Sequence, residues 1–373
     1  MLYLWLQTID LAALNTGTSV PQINHKDIDP LLFPLPSISE QSRIVAKVEE
    51  LMALCDALET CGKLETKQHV RLTATLFDAL AASESAHQLQ ENWVRLASNF
   101  DFILDRPEAI DVLEQTLLQL AVRGLLAEQD PNDEPASELL KQIRAEKDRL
   151  ITKGKIKKDQ PLPAISDEDK PFELPAGWEW VKLGNVILNL RYGTSSKCDY
   201  SFDGVPVLRI PNIGDDYVRL DDMKFGNLSE DERSAFSLNA GELLMIRSNG
   251  SATLVGKTAI VSEEAIGHAF AGYLVRLKFP LFAMQSKFAQ LVLKTTDIRA
   301  QIEAPIRTTS GVKNINSTEI LNLRMPLPPF NEQSRIVARV EALRALCADL
   351  RQRLTASQKK QAHFAEALVG NAA

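Results

Sequence analysis

Cysteine is scarce: Cys55, Cys61, Cys198 and Cys347 are scattered and form no CxxC pair. A disulfide framework and a zinc ribbon are both disfavoured, and a reducing cytoplasm fits. The five histidines, His25, His69, His87, His268 and His363, are isolated and lack ligand spacing, which argues against a metal centre or a triad. No apolar run approaches the roughly 18–20 residues needed to span a bilayer. Met1 to Leu14 is apolar but has no basic leading segment and no small-residue cleavage site, so a signal peptide is disfavoured. A basic excess is also missing. With 42 Lys/Arg against 49 Asp/Glu the net charge is −7, which excludes a wholly basic coat but not a local basic surface.

Catalytic signatures are equally absent. There is no GxGxxG loop and no Asn/Asp-Pro-Pro-aromatic segment of the amino-methyltransferase kind. Ser251-Ala252-Thr253-Leu254-Val255-Gly256-Lys257-Thr258 nearly spells a phosphate loop. However, Ser251 stands where the first glycine belongs, and Ala259-Ile260-Val261 reads as strand where a helix is required. The paired acids Asp215-Asp216 and Asp221-Asp222 read as turns and solvated faces. The chain is not visibly an enzyme by itself.

What the sequence does contain is a long internal repeat. Its 373 residues make two or three units the starting expectation, and 45% hydrophobic content supports a sizeable core. Pro34-Leu35-Pro36 precedes Glu40-Gln41-Ser42-Arg43-Ile44-Val45-Ala46. Pro326-Leu327-Pro328 precedes Glu332-Gln333-Ser334-Arg335-Ile336-Val337-Ala338, at an offset of 292 residues. Between 34 and 58, 17 of 25 positions match their partners, which is beyond chance. Weaker similarity relates 16–28 to 308–320. The period is too long for a solenoid and points to a duplicated domain-plus-helix unit.

Each copy opens like a helix, with Ser39 or Asn331 at the N-cap and Glu40 or Glu332 in the first turn. Ile44, Val48, Leu51, Cys55 and Leu58 then recur at spacings of four and three, as do Ile336, Val340, Leu343, Cys347 and Leu350. This is the seam that packs one helix along another. The two helices either pair with each other or each pack on their own domain; the shared seam favours pairing.

Residues 1–33 read as the end of a unit, with a short apolar helix, a Gly-Thr-Ser turn and a short strand. Residues 39–85, 106–128 and 137–153 read as helices, and Lys153 to Lys158 is a basic cluster at a helix end, either a DNA-phosphate contact or a solvated face. Pro161 to Pro171 reads as a linker. Residues 174–325 alternate β-branched runs with Gly, Asn and Asp turns, as in 205–210, 243–247, 257–261 and 273–277, with a helix near 284–303. This segment carries 17 Lys/Arg against 16 Asp/Glu, so its balance differs from the acidic remainder.

The duplicated Pro-Leu-Pro…Glu-Gln-Ser-Arg-Ile-Val-Ala motif ahead of a long helix resembles the specificity (S) subunit of type I restriction–modification systems. So do Leu174-Pro-Ala-Gly-Trp-Glu-Trp-Val-Lys-Leu-Gly184 and Thr308-Thr309-Ser310-Gly311-Val312-Lys313-Asn314-Ile315-Asn316. The resemblance covers nearly the whole chain. It implies an α+β fold: mostly antiparallel-sheet target-recognition domains joined by long helices that pair as an antiparallel coiled coil. It implies that each recognition domain reads half of a split target in double-stranded DNA, and that the helices set the gap. The implied partners are modification (M) subunits, joined by restriction (R) subunits in the full complex. The implied chain binds no cofactor. S-adenosylmethionine, ATP and magnesium are used by the partners, which supply adenine methylation and ATP-dependent cleavage.

Against that pattern, the expected division is 1–33, remnant of the first recognition domain; 34–173, central helical region and linker; 174–325, second recognition domain; and 326–373, distal helix. Relative to the second unit the first lacks roughly 118 residues, so the chain reads as shortened at its N-terminal side. Two readings stay open. One is a specificity subunit that docks modification subunits. The other is a structural remnant that assembles through its helices without reading sequence. A free-standing DNA-modifying enzyme has no motif to support it.

Base edges are read by Arg, Lys, Asn, Gln, Ser and Thr, while cations and amides position the duplex. Candidates therefore cluster in three loops. The first holds Arg191, Tyr192, Thr194, Ser195, Ser196 and Lys197. The second holds Arg247, Ser248, Asn249 and Ser251, followed by Lys257. The third holds Arg307, Thr309, Ser310 and Lys313. Turn chemistry explains the same residues equally well. Arg209 is either a DNA contact or a strand residue in an internal salt bridge.

Overall fold

The computed structural model describes residues 1–10, 23–83, 85–158, 160–304, 307–309 and 312–370. They fall into two compact units, Met1–Leu72 and Thr73–Ala373. In the first unit a short apolar helix, Leu2–Gln7, places Trp5 edge-on to Phe33, with centroids 5.0 Å apart. A one-turn helix, His25–Ile28, follows, where a strand had been expected nearby. The expected Gly-Thr-Ser turn lies outside the described residues.

The long proximal helix, Ile38–Ala81, begins one residue before Ser39. Ser37 supplies the cap instead, its hydroxyl accepting the Glu40 N–H at 3.3 Å. The Gln41 amide donates to the Pro36 carbonyl at 2.9 Å. Along this helix Ile44 and Val48 are half-buried, while Leu51, Cys55 and Leu58 are exposed.

The second unit is built on a four-stranded antiparallel sheet in the order Asn189–Tyr192, Leu274–Lys278, Leu243–Ile246, Thr258–Ile260. Side chains alternate across a strand. Leu243 and Met245 accordingly face a core shared with Val275, Phe288 and Ile336, and Leu244 and Ile246 face a second core with Phe270 and Leu208. Burial on both faces is why this strand reads as an unbroken apolar run. A second sheet joins Cys198–Asp199, Lys224–Gly226, Val205–Leu208 and Ala269–Phe270, its last pair parallel. Strand Val205–Leu208 stops short of the expected 210, because Asn212 takes the Arg209 N–H at 2.8 Å and Pro211 has none to give. The strands Glu179–Lys182 and Arg324–Leu327 pair and close the domain just ahead of the distal helix, Phe330–Gly370. The expected helix near 284–303 is two helices, Ser286–Leu293 and Thr296–Glu303, separated where the Thr295 hydroxyl caps the second.

The mixed architecture of antiparallel sheets and long helices is as expected. Antiparallel helix pairing is present too, but the second seam takes a nearer partner than the first copy. Ile336 and Val340 enter the domain core, and Leu343, Cys347 and Leu350 pack with Phe77, Ile110, Leu113 and Leu117. The last three belong to helix Pro107–Val122, which opens with proline at its first position. Arg351 pairs with Asp111 at 2.6 Å, while Arg335 reaches the Glu128 carbonyl at 3.1 Å, so the helices run antiparallel. Helix 107–122 carries its own three-and-four apolar spacing, which fills the seam.

The repeated motif ties the helix to the domain. Glu332 accepts the Trp178 indole N–H at 2.8 Å. Gln333, fully buried, accepts the Gln285 N–H at 2.8 Å and donates to the Ala283 and Pro328 carbonyls. Arg335 pairs with Asp133 at 2.5 Å and holds that carboxyl below its usual range. Asn331 sits inside the first turn rather than at the cap and donates to Asp133 at 3.1 Å.

Candidate nucleic-acid interface

Three of the polar segments singled out in the sequence meet at one end of the four-stranded sheet. Strand Asn189–Tyr192 ends there, strand Leu243–Ile246 runs out into Arg247, and strand Leu274–Lys278 begins there after the turn at Gly272-Tyr273. Strand Val312–Asn314 then pairs Lys313 with Asn249 and Asn314 with Ser248, bringing in the hairpin whose other arm is Arg307–Thr309. The side chains of Arg307 and Thr309, and Ser310 entirely, lie outside the described residues.

The first loop is held tightly. Gly193 N–H donates to Leu274 O at 3.2 Å, Thr194 N–H to Phe270 O at 2.8 Å, and Gly272 N–H to Thr194 O at 2.7 Å. A side chain at Gly193 would collide with the Phe270 and Ala271 carbonyls, so the sequence needs glycine there. Thr194 is buried, and its hydroxyl accepts the Ser196 N–H at 3.0 Å. Ser196 donates to Glu232 at 3.1 Å. The Ser229 backbone N–H and the Ser196 hydroxyl keep the Glu232 carboxyl below its usual range. Thr194 and Ser196 are thus committed to the loop itself, whereas Arg191, Ser195 and Lys197 are exposed. The Arg191 guanidinium lies 5.2 Å from the centre of the Phe236 ring.

In the second loop Ser248 is buried, Asn249 Oδ1 accepts the Ser251 N–H at 2.8 Å, and the Ser251 and Thr253 hydroxyls share a hydrogen bond of 2.7 Å. Arg247 lies over Tyr192, 4.4 Å from the ring centre. Lys257 leaves the group: its backbone stays at the sheet end, but its ammonium pairs with Asp215 at 2.8 Å and lowers that acid. Arg209 is also elsewhere. It pairs with Asp222 at 3.0 Å beside Tyr200, at the edge of the second sheet, which is the internal salt-bridge alternative. Asp222 adopts a left-handed φ of 54° and receives the Tyr200 hydroxyl, which with Arg209 holds its carboxyl below the usual range. Asp215, Asp216 and Asp222 are ion-paired acids rather than merely solvated ones, since Asp216 meets Lys294 at 2.6 Å.

The sequence pattern had absorbed Tyr273 into a strand. It sits instead on the turn and is 61% exposed beside Arg247, and the Gly272 before it was the only local signal. Arg299 was not singled out either. It donates to the carbonyls of Ala252, Thr253 and Val255 and so ties down the second loop from a helix. Among the described residues no group of three or more His, Cys, Asp and Glu could hold a metal ion, and no helix is long and apolar enough to cross a membrane. The assembled groups are donors, hydroxyls and aromatic faces, the set that grips an anionic backbone and reads base edges.

Residues 175–357 match the family described as type I restriction modification DNA specificity domain. These residues belong to the DNA specificity-domain family of type I restriction–modification systems. It is 35% identical over 344 residues to the type I restriction enzyme EcoEI specificity subunit of Escherichia coli, a match covering 90% of this chain and 57% of that protein. It is 35% identical over 340 residues to the EcoAI specificity subunit of Escherichia coli, with the same coverage. The chain therefore spans little more than half the length of these curated relatives. The crystal structure of the HsdS subunit from Thermoanaerobacter tengcongensis is 19% identical, with a TM-score of 0.40, over 94% of this chain and 62% of that one.

Proposed function

We propose that this chain is a non-catalytic DNA-recognition subunit of a type I restriction–modification complex. Residues 174–325 read part of a bipartite duplex target, and the helical regions dock modification subunits. The observation that carries the reading is the convergence of the Arg191–Lys197 loop, the Arg247–Ser251 loop and the Lys313 strand at one sheet end. Family membership supports the same conclusion. In this reading the chain holds no cofactor. The modification and restriction partners use S-adenosylmethionine, ATP and magnesium for adenine methylation and DNA cleavage in the cytoplasm.

Co-expression with the cognate modification subunit, followed by light scattering on a sizing column, tests the docking. A complex of defined stoichiometry that retains one duplex sequence over others supports the proposal. The affinity should fall with salt at a slope of about −0.9 per neutralised phosphate. A complex that binds every duplex equally would leave a structural remnant, and no complex would refute docking.

A further inference from the structure

We propose that Arg247 is the base-reading residue of this surface, directed at a guanine edge, and that Tyr192 is the positioning residue that aims it. The inference rests on the DNA-recognition reading above and names the side chain through which that reading acts.

Arg247 is fixed at every level. Its N–H donates to Tyr273 O at 3.0 Å, and its carbonyl accepts the Ile315 N–H at 2.9 Å, so its backbone is shared between two of the converging segments. Its guanidinium stacks on Tyr192 at 4.4 Å, and Nη1 donates to the Gly272 carbonyl at 3.2 Å. Tyr192 is itself anchored, its hydroxyl accepting the Ser317 N–H at 2.7 Å. The aromatic platform is therefore pinned to the segment that follows the hairpin.

Beyond the Gly272 bond, the outer donors of Arg247 are nonetheless unspent. Nε is buried without a partner, and no carboxylate among the described residues pairs with the guanidinium. Arginine held over a ring is already ordered before a ligand arrives. Nη1 keeps its second hydrogen beside Nη2, which leaves the two-pronged edge that matches guanine O6 and N7. None of the other candidate cations is at once partly buried over a ring, fixed by a backbone carbonyl and free of a carboxylate. Arg209 and Lys257 are spent on Asp222 and Asp215. Arg191 and Lys197 are exposed side chains suited to phosphate. Lys313 presents a point charge rather than a planar fork.

The test uses the full chain with its modification subunit and a pool of randomised duplexes, sequenced after rounds of selection. Wild type should enrich a motif containing guanine. Arg247→Ala should lose the preference at one guanine, cutting discrimination there by roughly 5- to 150-fold, while the rest of the motif and the salt slope persist. Arg247→Lys keeps charge and stem and should lose the same guanine, so it serves if the alanine variant does not fold. Tyr192→Leu should weaken that one position although Arg247 is intact. A purely structural role would lower its melting temperature and leave the motif unchanged. An unaltered motif in the arginine variants overturns the proposal. So does uniform weakening on all sequences with the salt slope reduced by about one, the mark of a phosphate contact. Wild type enriching no motif refutes the DNA reading itself, and the role of Arg247 with it.

Discussion

The indole of Trp178 donates to the carboxyl of Glu332 at 2.8 Å, joining the start of the sheet domain to the first turn of the distal helix. Both side chains are buried, and Glu332 Oε1 has no partner. Burial pushes the Glu332 carboxyl above its usual range, against the pull of Trp178 and Arg335, and Asp133 adds to the rise. The native state therefore holds this proton more tightly than the unfolded chain does. The contribution is full below the unfolded value and is lost as pH rises through the folded one. Glu332→Gln, which mimics the protonated acid, should flatten that dependence. Urea melts from pH 4 to pH 8 should show the variant gaining on wild type as pH rises. Trp178→Phe, which strips the carboxyl of its donor, should cost about 1–3 kcal/mol.

Cys55 and Cys347 occupy the same repeat position, yet one is exposed and the other is 3% exposed among Ile110, Leu113 and Leu117. Burial pushes the Cys347 thiol up, so it is the less reactive of the two. Alkylation of the native chain followed by mass spectrometry should label Cys55 and Cys61 well before Cys347. Cys347→Ser should destabilise by about 1–3 kcal/mol, whereas Cys55→Ser should change stability by less than about 0.5 kcal/mol. Equal labelling of the two would contradict the packing of the distal seam.

Gly193 has no room for a methyl group against the Phe270 and Ala271 carbonyls. Gly193→Ala must therefore push the Thr194 loop away from the turn at Gly272. A loss of about 1–3 kcal/mol in thermal or chemical melts is expected, together with weaker DNA retention. A variant as stable as wild type would show that the loop is not held as described.

Arg299 reaches three carbonyls between Ala252 and Val255 from the helix Thr296–Glu303, while also pairing with Glu303. Arg299→Ala leaves those oxygens to water and should loosen the loop more than the fold. Hydrogen exchange is the measurement: faster exchange at 252–257, with the strand Leu243–Ile246 still protected, is the expected pattern. Uniform acceleration across the domain would show that Arg299 supports the whole fold instead.

Much of this protein was fixed by its amino-acid order. The repeat, the seam at Ile336 to Leu350, the helices Ile38–Ala81, Pro107–Val122 and Ala136–Thr152 and the buried strands follow from spacing and apolar content, which act locally along the chain, whereas the helix Ala86–Ala97 and the break between Leu293 and Thr296 do not. The three candidate loops were also visible, since glycine, asparagine and serine mark turns. Tertiary structure alone decided which neighbour each surface took. Equal seams give Cys55 and Cys347 different environments, because helix 107–122 packs on the distal copy. Likewise, Arg209, Lys257 and Arg247 are alike in sequence terms. The first two are neutralised by acids brought from 13 and 42 positions away, and the third is left stacked on a ring with donors to spare. The fate of a charge depends on what the fold sets within a few ångströms of it, and that distance is not written in the sequence.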